Sequence, residues 1–436
     1  MRRYVVTVLL AVAMVVGAGV ALGGPSAPAP TPVSGANPAA LSRVGGDRLD
    51  DLIAGLQSHL RTQPKDARSW ATLGVAYVEQ ARLTGDPTYY PKAEGVLRRS
   101  MEEQAQDNEA ALTGMAALAA ARHDFAAALA WTDQSLEVNP ANARTWAVRT
   151  DALVELGRYR AAQRAAVRAD DLDPGIPTFT RLSYLAELHG DLDEAERLLR
   201  LARRSARTPS DVAFVRVQLG DLARRQGRLS AAESHYAAAL AARPEDVPAL
   251  VGRSHVAAAE GTLDKAITLL TEAVTRLPAP EHLITLGELY AASGDQERAE
   301  EQYAVVRGAA RLAEANGVST DLELALFEAD HGDPAAAVRA ARAEWARRHS
   351  IHAADALGWA LHAAGQDREA LRYARSATRL GTKDARLLFH RGMIETALGR
   401  VGAARRTLRA ALAADPHFSP LRAPIARRTL ANLGRS

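Results

Sequence analysis

His349 and His352 stand three residues apart, and with His362 and His390 they form the concentration of imidazoles in this sequence that could ligate a metal. Such a site would need these rings, or carboxylates, to converge in space with supporting hydrogen bonds. The alternative is a set of surface or stacked histidines, so no metal ligand set and no cofactor is assigned. The sequence contains no cysteine. That excludes disulfides, thiolate metal sites, a Cys nucleophile and a lipid-modified N-terminal Cys. No Walker loop, dinucleotide fingerprint, zincin helix or nucleophile elbow occurs, and the glycines fall where turns already explain them. No catalytic residue is therefore named, and the chain is read as non-enzymatic.

The elements that would position these residues are helical. Alanine makes up roughly a fifth of the 436 residues, aromatics only 5%, and Gly and Pro recur at intervals instead of clustering. This is the composition of an all-helical repeat protein. The 54 basic residues balance 51 acidic ones to a formal charge of +3, of which Arg2 and Arg3 supply two charges. A near-neutral body with interleaved charges lacks the electrostatic footprint of a nucleic-acid binder, and no nucleic acid is expected as a partner.

Arg2 and Arg3 precede a nearly unbroken apolar run from Tyr4 to Leu22, and prolines follow at 25, 28, 30, 32 and 38. Residues 1–24 read as a signal peptide or an N-terminal membrane anchor, and residues 25–46 as a Pro-rich linker. The run just reaches bilayer-spanning length, and Ala21-Leu22-Gly23 is a passable cleavage site, so both fates remain open. In either case the expected location is extracytoplasmic, secreted or membrane-anchored. Membrane contact would be made only through residues 4–22, if they are not cut off.

Beyond the linker the sequence repeats. Glycine is followed five residues later by alanine at Gly157/Ala162, Gly190/Ala195, Gly227/Ala232, Gly261/Ala266, Gly294/Ala299, Gly332/Ala337, Gly365/Ala370 and Gly399/Ala404. From Ala128 onward the alanines are 34, 33, 37, 34, 33, 38, 33 and 34 residues apart, the length of two short antiparallel helices and their turns. Glycine suits the position just past the first helix, and Pro140, Pro174, Pro244, Pro278 and Pro416 close units where the second helix cannot continue. The eighth position of each unit is always small: Gly74, Ala116, Thr150, Ser183, Gly220, Ser254, Gly287, Ala325, Gly358 and Gly392. Helices can approach closely only where neither carries bulk.

Trp70, Leu73, Gly74 and Tyr77, and again Trp146, Tyr159, Ala162, Ala169 and Pro174, resemble the tetratricopeptide-repeat family over roughly residues 67–416. The resemblance implies an all-α superhelical solenoid of about ten units, beginning near Ala67, Glu109, Ala143, Ile176, Ala213, Val247, Pro280, Val318, Ile351 and Ala385. The apolar stripe Leu49, Leu52, Ile53, Leu56 and Leu60 predicts an N-terminal capping helix within 47–66, and residues 417–436 a C-terminal one.

Three departures stand out. The first unit carries extra residues around Thr84–Pro91, the second has His123 where the turn glycine belongs, and the eighth has Glu344 at an otherwise small position. Around the eighth unit the spacing stretches to 38, which predicts a prolonged helix and a bend near 308–320.

In the family the first helix of each unit lines the concave groove, where ligands usually lie. Transferred to this chain, that rule names Arg144, Asp151, Arg181, Tyr184, Phe214, Asp221, Arg224, His255 and Glu288 centrally. Towards the C-terminus it names His352, Asp355, Trp359, His362, Phe389 and Met393. Exposed aromatics beside charges are what peptide-binding surfaces use as anchors, and packing between units is the alternative role. The family's two-carboxylate clamp is unmatched, because the ninth position is never Asn. The reading is a non-enzymatic scaffold or adaptor that binds a protein or peptide of unknown identity in its groove. The other reading is a cell-envelope accessory protein binding a metal or small molecule through His352, His362 and His390 beside Trp359.

Overall fold

The computed structural model describes residues 46–434; the expected leader, and all but the last residue of the expected linker, lie outside them. The described residues form twenty-two helices and no strand. Helix α1 (Gly46–Thr62) precedes α2 (Ala67–Thr84) and α3 (Tyr89–Glu103), the first of ten antiparallel pairs. Units 2 to 5 are α4 (Glu109–Ala121) with α5 (Phe125–Val138), α6 (Ala143–Glu155) with α7 (Tyr159–Leu172), α8 (Ile176–Leu188) with α9 (Leu192–Ser205), and α10 (Pro209–Arg225) with α11 (Leu229–Ala242). Units 6 to 8 are α12 (Val247–Ala259) with α13 (Leu263–Arg276), α14 (Pro280–Ser293) with α15 (Gln296–Ala315), and α16 (Asp321–His331) with α17 (Pro334–Arg347). Units 9 and 10 are α18 (Ile351–Ala363) with α19 (Asp367–Ala377) and α20 (Ala385–Ala397) with α21 (Val401–Ala414), before a last helix, α22 (Arg422–Leu433). The chain is an all-α solenoid. No helix among the described residues is long and apolar enough to cross a membrane.

Local sequence explains where the helices begin. Asp66, Asn108, Asn142, Asp246 and Asp384 cap first helices, each side chain accepting a backbone N–H that has no partner inside the helix. Helix α10 starts four residues before Ala213 because Thr208 and Asp211 cap each other reciprocally, Oγ1 accepting from the Asp211 amide at 3.1 Å and the carboxylate from the Thr208 amide at 3.0 Å. Trp70 and Trp146 donate from Nε1 to the carbonyl oxygens of Pro64 and Pro140, at 2.9 and 3.0 Å. The tryptophan of a unit thus clasps the turn that precedes it.

The small positions are where the helices meet. One alanine per unit, from Ala93 through Ala128 and Ala162 to Ala404, is fully buried on the second helix and faces the small residue of the first. Where that residue is serine, its hydroxyl is satisfied by the facing backbone: Ser183 donates to the Ala195 carbonyl at 2.9 Å and Ser254 to that of Ala266 at 2.8 Å. Where it is glycine, a larger side chain uses the space at four positions: Leu97 at Gly74, Tyr236 at Gly220, Tyr303 at Gly287 and Leu408 at Gly392. A methyl at position 287 would lie 2.3 Å from Cε1 of the buried Tyr303.

The superhelix is tight enough for successive coils to touch. The turn inside each of the first five units abuts a junction between later units. Gly85 lies against Leu277, His123 against Ser319, Gly157 against His349, Gly190 against Gly381 and Gly227 against Pro416. The glycines of the later turns Gly261, Gly294, Gly365 and Gly399 have nothing against them, because the array ends before another coil can cover them.

All the departures touch this seam, the first-unit insertion through Gly85. Helix α15 runs to 20 residues, ending at Ala315, and Gly317 follows it with φ +77°; α15 and α16 approach one another least of any consecutive helices. The extra length carries Ser319 to the second unit, where its amide donates to the Arg122 carbonyl at 3.1 Å and its own carbonyl pairs with His123 Nδ1 at 2.8 Å. Glu344 is buried with Arg348, and Arg348 reaches on to Glu155 of the third unit.

Candidate functional site

The first helices line the inside of this coil. There the side chains touch water yet have protein on every side, so charges are partly desolvated without being sealed in. Arg181 and Asp151 form a two-point ion pair between adjacent units at 2.6 and 2.8 Å. Burial opposes the Arg181 charge, but Asp151 outweighs it and holds the pKa above the usual value. Arg225 pairs with Glu187 of the preceding unit through a single contact at 2.7 Å. Tyr236 donates to Asp221 at 2.7 Å from beneath, and burial together with that carboxylate raises its pKa. Among the described residues Arg144 and Arg386 have no ion pair within 4 Å; desolvation lowers the pKa of Arg144, whereas at Arg386 burial opposes the charge but a group of carboxylates led by Asp384 outweighs it and keeps the pKa raised.

Two aromatic residues remain open to solvent on this surface, Tyr184 on α8 at 39% and Phe214 on α10 at 46%. The Tyr184 hydroxyl meets His352 Nε2 of the ninth unit at 3.1 Å. Burial lowers the pKa of His352, and Arg386 adds to the effect. Further along, Arg224, His255 and Glu288 line a cavity of about 570 Å3 together with Phe327 and Arg386. Burial, then Arg224 and His282, depress the pKa of His255 to about 3.

The C-terminal members of the expected groove lie differently. Asp355, Trp359 and Phe389 are 2, 8 and 1% exposed, and Met393 packs beside them, so these are covered side chains instead of open anchors. Asp355 is covered by the His390 ring and Trp359 by the same ring stacked on it, while over Phe389 the cover is the chain's own tail: Phe418 meets Phe389 with ring centroids 5.4 Å apart, and α22 adds Ile425, Ala426, Leu430 and Leu433 to the same cluster. The expectation of open aromatics fails there because the His390 ring, and a helix placed by sequence as an end cap, both lie on first-helix residues.

The histidines do not converge. His390 accepts or donates at Asp355 at 3.0 Å and stacks on Trp359 at 4.1 Å, His362 pairs with Asp367, His352 with Tyr184, and His349 packs edge-on to Trp345. Each has its own partner, and the metal or small-molecule reading is not favoured. Glu288, Asp330 and His331 are the one group among the described residues with metal-compatible spacing. A guanidinium already holds it: Arg422 lies 2.7 Å from Asp330 and 3.7 Å from Glu288.

Sequence reasoning passed over several inner residues. Arg386 and Glu187 occupy the second and twelfth positions of their units, so the same register reaches them. Glu155, Arg225 and Asp330 sit one position beyond its last groove place. Arg422 had no such signal, since nothing local says that a tail residue will find Asp330.

Comparison with known proteins agrees with the helical repeats. The family model "Tetratricopeptide repeat" matches residues 217–281 and 356–417. A search of curated proteins finds no match. Among solved structures, the chain is 15% identical to the APC/C hetero-tetramer Cut9-Hcn1, with a TM-score of 0.40 over 87% of this chain and 80% of that one. It is 24% identical to TTC0263, a thermophilic TPR protein in Thermus thermophilus, with a TM-score of 0.36 over 39% of this chain and 91% of that one. It is 14% identical to the human IFIT1 dimer with m7Gppp-AAAA, with a TM-score of 0.47 over 84% and 86%. Both matched stretches consist of the paired helices described above, and over those residues the chain is similar to the tetratricopeptide-repeat family.

Proposed function

We propose that this chain is a non-enzymatic scaffold whose inner surface binds a protein or peptide, and that it works outside the cytoplasm. The observation that carries the reading is the placement of Tyr184 and Phe214. They are the exposed aromatic residues among the described large hydrophobics, both stand on first helices, and charged pairs flank them. Rigid aromatic area beside paired charges gives a polypeptide both apolar anchorage and orientation. The fold supplies no constellation of nucleophile, base and orienting group among the described residues, and such arrays typically serve as scaffolds. The extracytoplasmic location rests on the basic residues Arg2 and Arg3 before the Tyr4–Leu22 run.

A photocrosslinking residue at position 214, used in intact cells and read by mass spectrometry, tests both parts. The expected result is one dominant protein partner, lost when Tyr184 is also changed to Ala, in the envelope or secreted fraction. Crosslinks spread over abundant proteins, unchanged by Tyr184→Ala, would overturn the binding role. Recovery in the cytoplasmic fraction would overturn the location.

A further inference from the structure

The strongest unexplained relationship in the molecule is between α22 and the surface it covers. Resting on the reading above, that the array binds polypeptide, we propose that the first-helix face of units 7 to 10 is a docking site for an amphipathic, cationic helix of a partner protein. In this state α22 is its built-in, displaceable occupant.

Chemistry on both sides of the contact supports this. The surface offers an apolar floor, Trp359, Phe389 and Met393, ending in the carboxylates of Asp330 and Glu288. Asp330 keeps its place independently of the tail, because the Trp359 indole donates to it at 2.5 Å. The tail supplies the complement: Phe418 on the floor, and Arg422 on the carboxylates at the N-terminal end of α22. Those carboxylates also face the positive end of the α22 dipole, which favours a helix in this orientation.

Apart from α21, whose Leu408, Ala411 and Leu412 share its apolar cluster, the occupant is thinly held. Of the twelve residues of α22, Ala423 and Ala426 alone are buried, and no acidic residue stands in its first turn. Leu421 at its cap position offers no side-chain acceptor, and Ser419 Oγ stands in with long contacts of 3.3 and 3.2 Å to the amides of Leu421 and Arg422. A cation as its first residue opposes the helix dipole unless the surface carboxylates are there to offset it. The Arg422–Asp330 contact is close, yet Nη2 of Arg422 makes no aligned hydrogen bond. Beside the tail the 570 Å3 cavity is lined by Phe418 and Arg422 on one side and Phe327 and Arg386 on the other, so the occupant leaves the site partly unfilled. Asp415 and Pro416, held near Arg224 and Gly227, can stay in place while the residues after them swing out.

The test uses the full chain and a fluorescein-labelled peptide of residues 416–436 as the probe. Ala426→Arg puts bulk and charge under the bound helix, and this variant should bind the peptide at least about tenfold more tightly than the unaltered chain, since the competing occupant is gone. Adding Asp330→Asn should remove that gain. Equal affinity in the unaltered and Ala426→Arg chains, or affinity indifferent to Asp330→Asn, overturns the proposal. Hydrogen exchange of the unaltered chain is a second readout that does not depend on a variant folding. Amides of α22 should exchange at least about 100-fold faster than those of α20, and equal protection would show that α22 is a fixed part of the fold. Peptide binding without a crosslinked partner at position 214 would refute the scaffold reading but leave this site standing; a partner without peptide binding would do the reverse.

Discussion

His123 Nδ1 lies 2.8 Å from the carbonyl oxygen of Ser319, a residue 196 positions later in the chain. Each member is an irregularity of the repeat, one a histidine with φ +61° where other units have glycine, the other the end of an overlong inter-unit segment. They exist for each other. The same seam brings His349 against Gly157, and it makes substitutions there unlike those at equivalent turns elsewhere.

Gly157→Ala should destabilise the chain more than Gly261→Ala. Both positions have positive φ, which costs an alanine about 1 kcal/mol. Only at 157 would the methyl lie 2.4 Å from the His349 carbonyl oxygen, adding about 1–3 kcal/mol of overpacking. Urea denaturation of the two variants measures the difference, and equal losses would mean that the coils do not touch in solution.

Arg348→Ala should cost about 1–3 kcal/mol, because it strips the buried Glu344 carboxylate, 3% exposed, of one of its two guanidinium partners and leaves it only the more exposed Arg347. The double variant Glu344→Ala/Arg348→Ala should be more stable than the single Arg348→Ala. A double-mutant cycle by denaturant titration decides it, and strictly additive losses would contradict a coupled pair.

Stability should fall with acid over a window set by His255. Its folded pKa, depressed to about 3, lies below the unfolded value of 6.5, so the unfolded chain takes up the proton first. The contribution is complete above about pH 6.5 and drains away as pH falls towards 3. His255→Gln should flatten this part of the profile of melting temperature against pH.

Tyr184→Ala and Phe214→Ala should each lower stability by no more than about 1 kcal/mol, since 39% and 46% of these residues stay open to solvent. Each should weaken capture of the crosslinked partner roughly tenfold, as for a truncated aromatic anchor. Isothermal titration with zinc should give no heat that depends on His349, His352, His362 or His390, because none of them belongs to a group with metal-compatible spacing among the described residues.

The unit, though not the coil, was legible in the sequence. Gly157 with Ala162, and the small eighth positions, report contacts made within some forty residues, so their spacing reads out directly as paired helices. The seam joins residues about 190 apart, and its pitch sums small rotations over many units, which no window of sequence contains. His123 and Glu344 were therefore visible as departures while their purpose was hidden. The inner surface was legible where the register alone decides exposure, as at Tyr184 and Phe214. It was not at Phe389, where a distant segment of the same chain settles the matter.

Coils in contact also constrain how a guest can come and go. With turns 85, 123, 157, 190 and 227 resting on the coil beyond, the passage has no lengthwise slit through which an extended chain could be laid sideways. A long polypeptide must thread from an open mouth or wait for the seam to part. Exchange should therefore slow steeply with guest length, and a loop without free ends should be refused altogether.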